Sequence, residues 1–243
     1  METYFYNLLY EHEDNHWWYW VRRKLVHKLI KLYGLSSGNA SFLDVGCGTG
    51  KLAEELQKYG KVIAIDKSEE AIKFCKQRGI DAEESSIEDY NPGKQFDCII
   101  ALDVLEHCQN DKMVINKIYD LLKAGGVVIV FVPALKCFWG KQDIISHHFR
   151  RYSYKELRDK FKNAGFKTLA QSYFNFFLSL PIFFIRKIAN LRNTQLESEF
   201  QFNNPLINTI CKFIFNLEVY LLPKIKFPFG VSLLGVYKKE AII

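Results

Sequence analysis

The stretch that decides the fold is FLDVGCGTG at residues 42–50, in which an apolar strand runs directly into a turn rich in glycine. Gly46, Gly48 and Gly50 stand at alternate positions. Because glycine has no Cβ, these three residues let a ligand approach the main chain closely. The helix that should begin at Lys51 then points its free N–H groups at that ligand. The turn therefore predicts a site for a nucleotide-like cofactor.

The spacing of the glycines separates two kinds of nucleotide-binding protein. The dinucleotide fingerprint is G-x-G-x-x-G, whereas this turn is G-x-G-x-G with Asp44 two residues before the first glycine. The turn and its aspartate resemble the first motif of the class I S-adenosylmethionine-dependent methyltransferases. An NAD(P) oxidoreductase stays as an alternative, disfavoured by this spacing and by the lack of a Tyr-x-x-x-Lys pair in the expected later helix. A non-catalytic adaptor that keeps the same fold is the other alternative.

Three later segments extend the resemblance. Residues 61–66 (KVIAID) are a second apolar run that ends in a carboxylate, Asp66, twenty residues after Gly46. Residues 96–107 (FDCIIALDVLEH) are similar to the family's fourth strand and the loop after it, and residues 122–133 (LKAGGVVIVFVP) to its fifth strand. Four motifs in the family's order identify the chain as a member of it. The motifs are similar to those of methyltransferases of types 11 and 12, including the quinone-biosynthesis O-methyltransferases.

The resemblance implies S-adenosylmethionine as the cofactor and residues that hold it. Asp66, at the tip of the second strand, can accept both ribose hydroxyls. Asp44 is placed to hold the loop and the cofactor's amino group. Ile87 would lie against the adenine ring, and Ser86 stands where the family usually has an acidic residue that contacts adenine. The full predicted set is Asp44, Gly46, Cys47, Gly48, Gly50, Asp66, Lys67, Ser86, Ile87 and Asp103.

Composition favours one globular chain. Of the 243 residues 49% are hydrophobic, which is enough to bury a sizeable core in one α/β domain with an attached cap. Six cysteines occur without a C-x-x-C pair, so they are predicted to be reduced thiols in a cytoplasmic protein rather than metal ligands. The N-terminus lacks the pattern of a secretion signal. The net charge of +6 is moderate and does not favour nucleic acid as a partner.

Apolar strand patterns alternate with helical ones, which is typical of a doubly wound, Rossmann-like α/β sheet. We predict seven strands, near residues 41–45, 61–65, 80–84, 96–102, 126–132, 166–172 and 230–237. The resemblance implies the strand order 3-2-1-4-5-7-6, with the last strand antiparallel between the fifth and the sixth. About fifty residues separate the last two strands, where the family has a short hairpin.

The chain is thus predicted to have three parts. Residues 1–38 form an N-terminal helical lid, residues 39–172 with 227–243 the cofactor-binding domain, and residues 173–226 an apolar helical insertion. The lid contains an amphipathic helix whose apolar stripe packs on the domain and consists of Trp17, Val21, Leu25, Leu29 and Leu32. Its other face carries Trp18, Arg22 and Arg23. In related methyltransferases such helices close over the cofactor, so an arginine here can pair with the cofactor's carboxylate.

The insertion is aromatic and unusually apolar. Its first apolar run, from Tyr173 to Ile185, has about thirteen residues and is interrupted by Pro181, whereas a bilayer span takes about twenty. A transmembrane helix is therefore disfavoured. Two interpretations stay open. The insertion is a cap that packs on the domain or on a second subunit of a homodimer, or it is a monotopic surface at the lipid interface, with its basic residues near head groups. Those residues are Arg186, Lys187, Arg192 and Lys212.

Methyl transfer to a hydroxyl requires a base, and histidine is best matched to neutral pH. His107 follows the fourth strand, where doubly wound folds place their ligands. It belongs to a Leu-Glu-His element that is common in this group of methyltransferases. In the quinone enzymes the corresponding acidic residues and histidine are associated with a divalent cation, so the resemblance offers Asp103, Glu106 and His107 as ligands. The bland alternative is that Glu106 and His107 cap the next helix, and we predict no resident metal.

A second polar segment follows the fifth strand. Residues 143–153 (DIISHHFRRYS) precede a helix whose predicted N-cap is Ser153, with Glu156 three residues later. We predict that His147 or His148 acts as the base here. Substrate-binding residues are predicted to be Arg150, Arg151 and Tyr152, the arginines holding an anionic group of the acceptor. The alternative is a solvated basic loop.

Together these motifs predict a class I methyltransferase that uses S-adenosylmethionine. The predicted acceptor is an oxygen of an apolar or lipid-linked small molecule, such as a quinone precursor or a lipid-carried sugar. The expected location is the cytoplasm, with peripheral contact to the membrane if the insertion meets lipid.

Overall fold

A computed structural model describes residues 3–191 and 204–240 of the chain. Within these residues, seven strands form one sheet in the order β3-β2-β1-β4-β5-β7-β6. Strand β7 runs antiparallel to both of its neighbours, and the other neighbouring pairs are parallel. The predicted fold and strand order are confirmed. The strands are β1 (Ala40–Val45), β2 (Gly60–Asp66), β3 (Asp81–Glu84), β4 (Phe96–Leu102), β5 (Leu122–Pro133), β6 (Phe166–Phe174) and β7 (Ser232–Lys239).

The strand bounds differ from the predictions mainly at β5 and β7. Strand β5 begins four residues earlier than predicted, because Leu122 already pairs with Phe96 before the register shifts at a bulge. Strand β7 begins two residues later, at Ser232. Gly230 lies before it at a crossing with the main chain, where an added Cβ would be 2.4 Å from the carbonyl oxygen of Phe174.

Helices connect the strands and extend the chain at its N-terminus. Each α/β crossover carries its helices on the faces of the sheet, as parallel pairing requires. The α-helices are α1 (Thr3–His12), α2 (Trp17–Leu32), α3 (Lys51–Leu56), α4 (Glu69–Gln77), α5 (Asp111–Leu121), α6 (Lys141–Ile145), α7 (Tyr154–Asn163), α8 (Ser179–Leu191) and α9 (Pro205–Leu221).

The core lies on the two faces of the central strands. Phe42, Leu43, Ile99 and Ile100, in β1 and β4, are completely buried. These strands are continuous apolar runs because parallel strands covered on both faces have no solvent side.

Helix α2 packs on this core through the predicted apolar stripe. Val21, Leu25 and Leu29 are completely buried, whereas Leu32 is 55% exposed. The prediction that Leu32 belongs to the buried stripe is therefore wrong, since the stripe ends one turn before the end of the helix.

One edge of the sheet collects the ends of the parallel strands. Val45 of β1 is level with Ile65 of β2 and with Ala101 of β4, and Leu102 is level with Phe131 of β5. The residues that follow these positions come out at the same edge. This register places the glycine turn, Asp66 and Asp103 together, as expected for the ligand edge of a doubly wound sheet.

Helices α8 and α9 lie between β6 and β7 in the sequence. Helix α9 packs against α2, where the rings of Trp18 and Phe215 stack at 5.6 Å between centroids. Lys28 of α2 donates to the carbonyl oxygens of Val219 at 2.6 Å and Leu222 at 2.5 Å. The insertion therefore packs on the N-terminal part of the chain through helices α9 and α2. Among the described residues no helix is both long and apolar enough to cross a membrane.

Gly60, at the start of β2, tests the packing of the sheet. An added Cβ there would lie 1.8 Å from the carbonyl oxygen of Ala40 in the neighbouring strand. We expect Gly60→Ala to lower the free energy of unfolding by at least about 2 kcal/mol, because the clash is with the main chain. Urea unfolding measures it.

The control is Gly93→Ala. Gly93 has φ +64° and no atom within 4 Å of an added Cβ. Gly93→Ala should lower the free energy of unfolding by only about 1 kcal/mol, the cost of placing alanine in the left-handed conformation. Equal losses in the two variants would contradict the assignment of Gly60 to the crowded strand pair.

Candidate active site

The glycine turn joins β1 to α3 in a backbone conformation that residues with a side chain rarely adopt. Gly46 has φ +67° and Gly50 has φ +84°, in the left-handed region. An added Cβ at Gly46 would lie 2.8 Å from a methyl group of Val104, and one at Gly50 would lie 2.8 Å from the sulfur of Cys75. The N–H groups of Gly46 and Cys47 donate to the carbonyl oxygen of Ile65, at 2.8 and 3.1 Å. The turn is thus held against β2 and α4.

Asp66 lies at the tip of β2, beside the turn. Its Oδ2 accepts the N–H of Gly48 at 3.0 Å, and its Oδ1 accepts the N–H of Ser68 at 3.0 Å. Burial raises the pKa of Asp66, and these two N–H groups oppose that rise. Each carboxylate oxygen can accept more than one hydrogen bond. The arrangement therefore leaves capacity for the two ribose hydroxyls that were predicted to bind here.

Asp44 is the more deeply buried of the two aspartates, with 3% of its surface exposed. Within the described residues its Oδ2 has no hydrogen-bond partner. Burial, followed by the nearby charges of Asp66 and Glu13, raises the pKa of Asp44 to about 8. A buried carboxyl group with an open oxygen is costly unless a partner arrives. The ammonium group of an amino acid moiety is a partner that fits.

Helix α1 and the residues after it cover the glycine turn. Leu9 has a methyl group 3.3 Å from the position of an added Cβ at Gly48. Tyr6 is buried, and burial together with the charge of Asp66 raises the pKa of its phenol to about 12. The carboxylate of Glu13 accepts from the hydroxyl of Thr49 and pairs with Arg78 at 2.9 Å. These positions support the predicted N-terminal lid.

Sequence reasoning missed Tyr6, Leu9 and Glu13. They precede the glycine turn by more than thirty residues, and no motif marks them. The signal that could have indicated a role was their place in a segment already predicted to be a lid.

Arg22, on α2, reaches the site from the opposite side. It is 4% exposed, and its Nη1 lies 2.5 Å from Oδ2 of Asp103. Its guanidinium lies 4.9 Å from the ring centroid of Trp18 and 5.2 Å from that of Phe131. In the described part of the chain its Nε and Nη2 have no hydrogen-bond partner. Two free donors in a buried fork suit a carboxylate.

The neighbouring Arg23 has a different role from the one its position in sequence suggested. Its Nη1 donates to the carbonyl oxygen of Glu13 at 2.7 Å, and its Nε lies 3.1 Å from a carboxylate oxygen of Glu55. Arg23 therefore joins the lid to α3, while Arg22 faces Asp103.

The predicted adenine end lies where β2 and β3 finish. An open cleft of about 300 Å³ there is lined by Lys67, Glu84, Ser85, Ser86 and Asp89. The hydroxyl of Ser86 lies 2.6 Å from Oδ2 of Asp89, so Asp89 supplies the acidic group that Ser86 lacks. Ile87 is 3% exposed. A contact of these residues with adenine stays a prediction.

A second cluster lies beyond Asp103. Side-chain ligand atoms of Glu106, His107 and His148 lie within 4.8 Å of one another. The rings of His107 and His148 meet edge to face at 4.7 Å between centroids. Glu106 is completely buried, and within the described residues neither of its carboxylate oxygens has a hydrogen-bond partner. The structure thus brings together two of the three histidines that were predicted as bases.

The protonation states in this cluster follow from burial. Burial raises the pKa of Glu106 well above its usual range, and the charge of Asp103 adds to this. Burial also lowers the pKa of His107 to about 4, with the neighbouring His148 adding to the effect. At neutral pH His107 is therefore an uncharged imidazole with a ring nitrogen that can accept a hydrogen bond or bind a cation.

His148 is held in place by Asp143. Its Nδ1 lies 3.0 Å from Oδ1 of Asp143, a completely buried carboxylate. Burial alone would raise the pKa of Asp143, but the hydrogen bond to His148 and the charge of Arg151 outweigh it and lower that pKa to about 2. Arg151 binds both carboxylate oxygens, at 2.8 and 3.1 Å, and also the carbonyl oxygen of Ala134. Arg151 therefore orients Asp143, which orients His148.

The other predicted residues of this loop have partners within the protein. Arg150 lies 3.0 Å from Asp111 and donates to the carbonyl oxygen of Gln109. The buried hydroxyl of Tyr152 donates to Asp111 at 2.8 Å. His147 is exposed and has φ +55°. A substrate contact of Arg150, Arg151 or Tyr152 stays a prediction, and in the structure their polar groups support the loop.

Comparison with known proteins identifies the family. A family model described as a methyltransferase domain matches residues 17–171. The chain belongs to the methyltransferase domain family. Membership confirms S-adenosylmethionine as the cofactor of this methyltransferase and sets the NAD(P) alternative aside. The matched range begins at the first residue of α2, so it includes Arg22 as well as the glycine turn.

Curated relatives include ubiquinone biosynthesis O-methyltransferases. That of Bradyrhizobium diazoefficiens is 31% identical over 100 residues, which cover 38% of this chain and 40% of the relative. That of Rickettsia canadensis is 35% identical over 113 residues, which cover 44% of this chain and 48% of the relative. The matches thus span less than half the length of these relatives.

Solved structures share the fold at low identity. A putative sarcosine dimethylglycine methyltransferase from Galdieria sulphuraria has a TM-score of 0.60 at 18% identity, covering 90% of this chain and 85% of the relative. The N-methyltransferase NodS from Bradyrhizobium japonicum, solved with S-adenosyl-L-homocysteine, has a TM-score of 0.53 at 14% identity, covering 90% and 86%. The likeness extends to the fold alone.

The buried carboxyl group of Asp44 should lower the stability of the folded protein while it strengthens cofactor binding. Its pKa in the folded protein, about 8, lies above the usual 3.8. The folded state keeps a proton that the unfolded state releases, so this group makes the wild type less stable as pH rises from about 4 to about 8. We expect Asp44→Asn to bind S-adenosylmethionine at least about tenfold more weakly, because the charge–charge contact is lost.

The same variant should be at least as stable as the wild type without cofactor, with a gain that grows between pH 5 and pH 8. Urea unfolding at the two pH values and calorimetric titration measure the two effects. A variant that loses stability and keeps its affinity would remove Asp44 from the cofactor site.

Substitution of Asp66 should weaken cofactor binding, whereas substitution of a distant aspartate should not. We expect Asp66→Ala to weaken S-adenosylmethionine binding by about 2 kcal/mol or more, since a charged acceptor of two hydroxyls is removed. The matched control is Asp97→Ala at the other end of the sheet, where Asp97 binds Ser41 and Lys123. Calorimetric titration would contradict the assignment if both variants lost the same affinity.

Proposed function

We propose that this protein transfers the methyl group of S-adenosylmethionine to an oxygen of an apolar small molecule, with His107 receiving the proton of the acceptor hydroxyl. The observation that carries the proposal is a neutral, half-buried imidazole placed beside the cofactor edge of the sheet. His107 follows Asp103 by four residues, and Asp103 bonds Arg22 at that edge.

The position of the cluster favours transfer across the turn after β4. Asp44, Asp66 and Arg22 offer groups for the cofactor, while Glu106 and His107 follow Asp103 in the chain by three and four residues and lie beside His148. Asp103 itself has φ +55°, which bends the chain sharply between the two sets. An acceptor oxygen bound at the cluster would be close to the cofactor's reactive end.

When bound, S-adenosylmethionine supplies a methyl group that its sulfonium already activates. The protein must then align the acceptor oxygen with that methyl group and exclude competing water. A ring nitrogen of His107 would take the hydroxyl proton as the acceptor oxygen becomes the nucleophile for that methyl group. An oxyanion forming beside the ring would raise the pKa of His107 again, because an opposite charge favours the imidazolium.

His148 would support this transfer by its orientation. Asp143 accepts from Nδ1 of His148, which leaves Nε2 directed at the rest of the cluster, and this is the arrangement that fixes an imidazole tautomer. Sequence alone could not choose between His147 and His148. The contact with Asp143 favours His148, while His147 is exposed.

The same three side chains also suit a divalent cation. Glu106 has two unpartnered buried oxygens, His107 is neutral, and His148 has the carboxylate partner that metal-bound histidines commonly have. A cation would be held by Glu106, His107 and His148 and would polarise the acceptor hydroxyl. Two imidazoles favour zinc or another transition metal over magnesium. This set differs from the alternative of Asp103, Glu106 and His107, since Asp103 is paired with Arg22.

A phenolic or catechol acceptor is the substrate class that these observations support. The ubiquinone O-methyltransferases named above are among the relatives that match, and a phenol gives up its proton more readily than an alcohol. A lipid-carried sugar is the second candidate acceptor. Nucleic acid is not expected as a partner, and a homodimer through the insertion stays open.

The histidines can be separated by substitution. We expect His107→Gln to lower kcat for an alkyl-substituted catechol at least about 100-fold, because a general base is lost. Binding of S-adenosylmethionine should be unchanged. His148→Gln should lower kcat less, and the matched control His147→Gln should retain near wild-type activity. Methylation is measured with radiolabelled cofactor.

Chelation distinguishes the two ways of activating the hydroxyl. If EDTA abolishes turnover and zinc or manganese restores it, a cation rather than His107 activates the acceptor hydroxyl. Methylation of primary amines in preference to catechols would contradict the proposed acceptor. A His107→Gln variant with full activity would contradict the proposed base.

A further inference from the structure

We propose that the surface beside the Glu106 cluster docks on a lipid bilayer with anionic head groups and so brings an apolar acceptor to the site. The inference rests on the proposed function for its substrate but on separate residues for its surface. We name this surface the apolar rim and define it by the exposed apolar side chains of residues 139–149 and 177–188.

The rim consists of large hydrophobic side chains that the protein leaves in solvent. From the first segment, Trp139 is 37% exposed, Ile144 62% and Ile145 51%; from the second, Leu180 and Phe184 are 60% exposed and Ile188 48%. Leu180, Phe184 and Ile188 recur every four residues, so they lie along one side of α8. Scattered single exposures need no explanation, but a set of this size on adjoining segments does.

Contacts join the two segments next to Asp143. Arg186 of α8 donates to the carbonyl oxygen of Phe138 at 2.9 Å and lies 3.8 Å from a carboxylate oxygen of Asp143. The rings of Phe138 and Phe183 meet edge to face at 5.8 Å. Because Asp143 also binds His148, two contacts lead from the rim to the Glu106 cluster. An apolar chain held at the rim would have its polar head close to His148.

Charge decides which kind of partner fits the rim. Residues 134–149 and 175–188 contain one carboxylate, Asp143, which is completely buried and bound by Arg151. The same stretches contain Lys136 and Lys187, both exposed, together with Lys141 and Arg186. The exposed charge that these two stretches carry is therefore positive, which an anionic lipid surface complements.

A second copy of the chain fits this surface less well. A two-fold dimer places the same patch on both subunits, so the cations around one rim would face those around the other. Such like charges repel unless acids intervene, and here the neighbouring acid is buried. Helix α8 has 13 residues, too short to cross a bilayer, which is consistent with a helix that lies in the interface.

The first test is flotation of the purified full-length protein with vesicles, in the absence of cofactor. One set contains phosphatidylcholine alone, and the other equal amounts of phosphatidylcholine and phosphatidylglycerol. We expect the wild type to float with the anionic vesicles, and less so at high salt. The double variant Leu180→Asp with Phe184→Asp should lose at least about tenfold in partitioning, because two apolar anchors become charged.

The matched control is Leu32→Asp on α2, since Leu32 is 55% exposed and lies outside the rim. It should float like the wild type. A charge variant, Lys136→Glu with Lys187→Glu, should reduce flotation with anionic vesicles and weaken its dependence on salt. Calorimetric titration with S-adenosylmethionine verifies that each variant is folded.

Three results would overturn the proposal: no flotation of the wild type, equal flotation of both vesicle sets, or an unchanged rim variant. A rim variant that turns a dimer into a monomer in sedimentation velocity without changing flotation would assign the rim to a second copy. Flotation is independent of turnover, so loss of catechol methylation in His107→Gln and loss of flotation in the rim variant are separate outcomes.

Discussion

The glycine turn has no room for side chains at Gly46 and Gly50, and the rest of the site is arranged around this constraint. Cys75 lies behind Gly50, Val104 lies behind Gly46, and Leu9 approaches Gly48 from the lid. Three elements that are remote in sequence thus meet at one turn. Since the turn is also bonded to the end of β2, its position is set by the sheet itself, and the sheet holds the cofactor edge rigid.

The site concentrates buried polar groups that the protein does not satisfy by itself. Asp44 and Glu106 are buried carboxyl groups with open oxygens, and Arg22 is a buried guanidinium with open donors. Each costs free energy in the folded state without ligand. By contrast, the buried Asp143 has partners on both carboxylate oxygens, in Arg151 and His148. Local departures from good packing chemistry are expected where a ligand completes the structure.

The N-terminal helices and the insertion pack on each other and contact the candidate site. Helix α2 supplies Arg22 to the cofactor edge and packs on α9 through Trp18. Helix α8 contacts the loop that contains Asp143. Elements outside the seven-stranded sheet therefore contact both Asp103 and the loop that contains Asp143.

The sequence by itself determined the cofactor edge of this protein. Glycine spacing and the carboxylate at the end of each apolar run are local patterns, and strand ends of a parallel sheet must emerge together. Only the tertiary structure decided that His148 rather than His147 meets His107, that Arg22 and Arg23 diverge, and that Tyr6 and Glu13 cover the turn. These contacts join residues far apart in the chain. Their geometry depends on packing, on one left-handed residue at position 147 and on the buried Asp143, none of which a local pattern contains.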